Sequence, residues 1–178
     1  MSLSFACVSL AAHAQTPFET EKLFSKDAWD VELTHDSSDG QLWCTAFTRN
    51  RQNQALHLTA YDNGSLALFV FDERWNIANR NLRFFIDIDY DRWILDGEGE
   101  GIHVTVGMSD PEQAATFLRQ LMEGSALAVF NGDERRLGTF SLSGSYAAIS
   151  KLFDCWGKIS PSGGAGSTDP FVTRSDPF

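Results

Sequence analysis

Residues 82–101 read LRFFIDIDYDRWILDGEGEG, and two readings compete for them. Asp87, Asp89 and Asp91 stand at positions one, three and five of a calcium loop. Glu98 stands at position twelve, where such a loop places its bidentate carboxylate, and Ile94 fills the apolar eighth position. Yet Phe84, Ile86, Ile88 and Tyr90 alternate with Phe85, Asp87 and Asp89, which is the period of a strand. An extended chain splays three carboxylates along one face instead of wrapping them round an ion. Position six, which needs glycine for its sharp turn, holds Arg92. The favoured reading is a β-hairpin with its acids facing water and its turn at Asp91-Arg92 or in DGEGEG. Calcium binding by Asp87, Asp89, Asp91 and Glu98 is the alternative.

Working outward, the same alternation predicts strands over Trp29–Thr34, Gln41–Thr48, Ala55–Tyr61 and Gly101–Gly107. Ser65–Phe71, SLALFVF, is apolar at successive positions and reads as a central strand covered on both faces. DERWNIANRN, after it, reads as a connection. Asn63-Gly64 and Asn131-Gly132 are hairpin signals of the kind that place both central residues at positive φ. Ala126–Phe130 and Arg136–Leu142 flank the second.

Two helices interrupt this pattern. Ser109 or Asp110 caps the first, Pro111 suits its first position, and Ala114, Phe117, Leu118, Leu121 and Met122 form its apolar stripe up to Gly124. The second runs from Tyr146 to Trp156, capped by Ser143 or Ser145 and stopped by Gly157. About nine strands and two helices make a mainly β (α+β) fold: an antiparallel β-sandwich or open barrel with both helices packed on one face or end.

A chain of 178 residues with 14 Phe and 5 Trp can bury a core of its own. Its net charge of -10 disfavours nucleic acid and polybasic membrane contacts. Leu3 to Ala12 is a short apolar run, and Ala12-His13-Ala14 fits the small-x-small rule of signal peptidase. Residues 1–14 therefore read as a signal peptide remnant, 15–159 as one globular β-rich domain, and 160–178 as a flexible Gly/Ser/Pro tail with two Asp-Pro-Phe copies. No stretch reaches the roughly 20 apolar residues of a membrane helix. Cys7 falls within the leader, which leaves Cys44 and Cys155. In an exported chain that pair implies a disulfide between an early strand and a late helix. Two free buried thiols or a catalytic cysteine are the alternatives, and neither cysteine has a histidine or CxxC partner nearby in sequence.

The segment Glu123–Trp156 carries a resemblance. LMEGSALAVF, a hairpin, and RRLGTFSLSGSYAAISKLFDCW resemble the close of the invasion-associated locus B family of exported proteins. Phe140, Leu142, Gly144, Ala148, Ile149, Leu152 and Cys155 are similarly placed in the final helix of the VasI accessory proteins of type VI secretion. WDVEL followed by Cys44 resembles the opening strand and early cysteine of both. The resemblance implies an exported β-rich domain, periplasmic or secreted, with an envelope or secretion-system protein as partner, and it supplies no catalytic residues.

The usual chemistry is missing from the pattern. SLSGSY lacks the G-x-S-x-G frame, no phosphate loop or dinucleotide fingerprint occurs, and His35, His57 and His103 lack metal-ligand spacing. The expectation is a non-catalytic exported protein with an interaction or accessory role and no cofactor. The alternative is a small-ligand or calcium-binding module using an aromatic cleft or the Asp87–Glu98 hairpin.

Overall fold

The computed structural model describes residues 16–160. The segment read as a signal peptide remnant, Cys7 within it, and the Asp-Pro-Phe copies lie outside the described residues. Ten strands form one antiparallel sheet, and two helices pack against it. The strands are β1 (Phe18–Lys26), β2 (Trp29–Asp36), β3 (Leu42–Arg49), β4 (Ala55–Tyr61), β5 (Leu66–Phe71), β6 (Ile77–Ile88), β7 (Asp91–Gly101), β8 (His103–Gly107), β9 (Ala126–Asn131) and β10 (Arg136–Ser141). Helix α1 (Pro111–Glu123) lies between β8 and β9, and α2 (Ser145–Ile159) closes the described chain. The order across the sheet is β1-β2-β3-β4-β5-β8-β7-β6-β9-β10.

The sheet curls until its last strand overlies its first turns. Trp29 Nε1 donates to the Ser141 carbonyl at 3.2 Å, Asn50 Nδ2 to that of Thr139 at 3.2 Å, and Gln54 Nε2 to that of Leu137 at 3.0 Å. Side chains thus fasten β10 to the β2 and β3–β4 corner, while β1 and β10 remain the two edges of an open barrel. Inward residues from both halves meet in one core that includes Val31, Leu58, Leu68, Ile86, Leu127 and Phe140. Their burial is the main stabilising term.

Helix α2 lies along the inner side of β1–β4 and presents Ala148, Ile149, Leu152 and Cys155 to it. Cys155 and Cys44 form a disulfide with Cα atoms 6.1 Å apart at a sequence separation of 111. A loop of that length corresponds to roughly 4–5 kcal/mol in the chain-entropy description. Helix α1 closes the adjacent end, where Phe117 packs edge-on against Trp93 with ring centroids 5.2 Å apart.

Several local expectations are corrected. The hairpin of residues 82–101 turns at Asp89-Tyr90, with Asp89 at φ 51°, and DGEGEG lies within β7. DERWNIANRN is only partly a connection, because β6 begins at Ile77. At Asn63-Gly64 only Gly64 has positive φ, and at Asn131-Gly132 it is Glu134 that does. Both are longer loops in which the asparagine Oδ1 accepts backbone N–H groups, from Ser65 at 2.9 Å and from Arg135 at 2.8 Å. Asp110 caps α1 as expected, accepting from the N–H groups of Glu112 and Gln113. No serine caps α2. Its N-cap is Gly144 at φ 93°, while the buried Ser145 hydroxyl donates to the Leu121 carbonyl at 2.6 Å and ties the two helices together. Gly157 lies within α2, which continues to Ile159.

Candidate functional site

The acids of the opening hairpin do not converge. Asp87 is bound bidentately by Arg92 at 2.7 and 2.9 Å. Asp89 accepts the backbone N–H groups of Ser125 and Ala126, the shortest at 3.0 Å. Asp91 accepts from Gln120 Nε2 at 3.0 Å. Glu98 stands far along β7, opposite Asn81 and Thr105. Each aspartate has its own protein donor, and no cluster of three metal-ligating side chains occurs among the described residues.

The outer face of the sheet gathers what the sequence scatters. Period-two alternation sends Cys44, Ala46, Leu58, Leu68, Val70 and Val104 inward. Their neighbours Trp43, Phe47, His57, Tyr61, Phe69, Phe71 and His103 therefore share the opposite side. From β3 to β8 the rings run in contact: Phe47–His57 at 5.0 Å, His57–Phe71 at 4.8 Å and Phe71–His103 at 5.4 Å between centroids. Phe69 stacks beside Phe71 at 5.8 Å. A second group, Phe18, Trp43 and Tyr61, continues the apolar ground toward β1. Thr45 and Thr59 hydrogen-bond to each other between the two groups at 3.1 Å.

The rings from Phe47 to His103 are half-buried, Phe18 is exposed, and no described element lies over them. The expectation that SLALFVF is covered on both faces is thus corrected: β5 is central, but Phe69 and Phe71 look outward. Glu32 on β2 and the exposed Glu98 and Glu100 on β7 flank the strip, and the exposed Arg49 stands at the β3 end beside Phe47. Glu100 is the β-sheet partner of His103.

His57 and His103 share this face but are separated by the Phe71 ring, on a surface and not in a deep pocket. Burial pushes the His57 imidazole down to about 4, with the Arg49 guanidinium adding to the effect. Its Nε2 is buried without a hydrogen-bond partner among the described residues. His35 sits elsewhere, 3.9 Å from Glu19. Cys44 and Cys155 are held in their bridge beneath the sheet.

The sequence reading missed a second feature, a basin of about 710 Å³ at the end of β6, β8 and β9 away from α1. Its floor is apolar, made by Leu82, Phe84, Val104, Val129 and Leu137, and Trp75 stands at its rim. Arg74, Arg80 and Arg135 stand round it, Arg83 borders it but pairs with Asp96 on the outer face, and Asp133 is the one carboxylate in its lining. Arginines drawn from three separate loops and strands leave no motif, so spacing could not reveal it.

No helix among the described residues is long and apolar enough to cross a membrane. No family model, no curated protein and no solved structure matches this chain.

Proposed function

We propose that this is an exported, non-catalytic binding protein that engages a basic protein partner of the cell envelope through its outer aromatic strip. The observation that carries this reading is the run of contacting rings from Phe47 to His103, uncovered and bordered by Glu32, Glu98 and Glu100. Contiguous apolar surface held open to water costs free energy, and interface cores are rich in aromatic residues. The acidic border selects a partner with positive charge and steers its approach. The Cys44–Cys155 bridge supports a working place outside the reducing cytoplasm. The resemblance of Glu123–Trp156 to invasion-associated locus B and VasI proteins points the same way.

A photo-crosslinking residue at Thr105, within the strip, tests the reading in producing cells, with Glu112 on α1 as the control position. A discrete adduct at Thr105, absent at Glu112 and lost in Glu98→Lys/Glu100→Lys, is expected. Equal labelling at both positions, or an adduct indifferent to the charge reversal, would overturn it.

A further inference from the structure

The basin and the strip lie on opposite faces of the sheet, and the basin has a chemistry of its own. In a chain with net charge -10 and only 14 basic residues, three arginines, Arg74, Arg80 and Arg135, stand round this hollow. Arg74 is already engaged, gripping Asp72 through Nε at 2.8 Å and a second nitrogen at 2.6 Å, while Arg83 turns to the other face, where it pairs with Asp96 at 2.8 Å. Arg80 and Arg135 form no salt bridge among the described residues. Two forked guanidinium groups at the basin are therefore without a carboxylate partner among the described residues, and such groups match the geometry of oxyanions.

Beneath them the lining changes character. Phe84, Val104 and Val129 belong to the core and are almost wholly buried, while Leu82, Ile77 and Trp75 are half-buried and meet solvent. The rim is also firmly held. Asp72 N donates to the Ile102 carbonyl at 2.9 Å, Trp75 N donates to the Asp72 carbonyl at 2.9 Å, and Gln54 Nε2 donates to the Asp72 carboxylate at 2.8 Å. Trp75 and Arg74 are thus fixed at the mouth by a buried polar network, so the hollow is preformed. Mouths of barrels and clefts of this volume commonly hold small ligands.

We propose that the basin binds an amphiphilic oxyanion: an apolar tail seated on Leu82, Leu137 and Trp75, with a carboxylate or phosphate head held by Arg80 and Arg135. The tail supplies affinity by leaving water, and the arginines supply the choice of charge.

Isothermal titration of the purified, oxidised protein tests this with four probes that share a ten-carbon chain, each kept below micelle formation. These are decanoate, decyl phosphate, decanol and decyltrimethylammonium. Saturable binding of decanoate or decyl phosphate is expected, with decanol about tenfold weaker and the cation weaker still. The preferred anion identifies the head. Arg80→Gln and Arg135→Gln should each weaken the anion about tenfold and leave decanol unchanged. Trp75→Ala should weaken all the probes that bind, and Phe69→Ser, on the outer strip, none. Failure of both anions to bind at about 1 mM, equal binding of the cation, or anion affinity indifferent to both arginine variants would overturn the proposal. None of these outcomes depends on the protein partner of the strip.

Discussion

Gln54 and Gly138 lie so close that a methyl group on Gly138 would come within 2.3 Å of Gln54 Oε1. The Gln54 amide cannot easily give way. It accepts from Asn50 Nδ2 at 2.6 Å and donates to the Asp72 carboxylate and the Leu137 carbonyl. This buried side chain joins the β3–β4 turn, the rim of the basin and β10.

Gly138→Ala should therefore destabilise the protein by about 1–3 kcal/mol through overpacking. Gln54→Ala should cost a similar amount, about 1–3 kcal/mol, by leaving buried polar groups unpaired. Since both act on one contact, the double variant should cost less than the two added together. Urea unfolding of the four proteins measures this.

His57 predicts a pH dependence. Its folded-state pKa, about 4, lies below the ordinary value of 6.5, so the unfolded chain takes up the proton first as pH falls. The stability that depends on neutral His57 is complete above pH 6.5 and declines as pH falls from there to about 4. His57→Phe, which keeps a ring between Phe47 and Phe71, should flatten this part of the profile. Asp72 acts in a separate window. Hydrogen bonds from Arg74, with Gln54 assisting, hold its carboxyl down to about 2, so its contribution is lost only as pH falls from 3.8 toward that value. Melting temperatures of wild type and His57→Phe between pH 7 and 4 provide the check.

The bridge between β3 and α2 should dominate resistance to denaturation. Replacing Cys44 and Cys155 together by alanine should cost roughly 2–5 kcal/mol. Hydrogen exchange should then rise along α2 before it rises in β4 or β5, because α2 loses its covalent tether while those strands keep their ladders. Unfolding with and without reductant, followed by exchange mass spectrometry, measures both effects.

Asp89 should matter to stability and not to calcium. Its carboxylate holds the start of β9 through Ser125 and Ala126. Asp89→Ala removes those acceptors at a position with positive φ and should cost about 1–2 kcal/mol. Asp89→Gly, which relieves the backbone, should cost less than the alanine variant. Addition of calcium should leave the melting temperature of the wild type unchanged.

Much of the architecture was legible because alternation is a strong local signal. Ala55–Tyr61 is a strand over the bounds its pattern gives, and Asp110-Pro111 starts a helix where cap chemistry places it. Strand β1 was not read from FETEKLFSK, an edge strand exposed over most of its length. IANRN failed as a strand signal because that part of β6 forms the polar rim of the basin. The strip on the outer face was implicit in the same alternation. The neighbours of Leu56, Leu58, Leu68 and Val70 that face the other way include His57, Phe69 and Phe71, but sequence alone does not say that the second face lacks a covering layer. The basin needed the curl of the sheet, which no pattern in the chain encodes.

Gly97 and Gly99, in one of the two stretches the sequence offers for the hairpin turn, stand instead within β7, and that place has a broader consequence. A side chain on Gly97 would strike the Thr105 carbonyl at 2.4 Å, and one on Gly99 would strike Leu82 at 2.5 Å. Two bare positions on β7 thus leave the room that Leu82 and Phe84 of the neighbouring β6 occupy. Both side chains line the basin, so the shape of that hollow is set by matter left out, and bulk added at either glycine would displace its floor without touching an arginine.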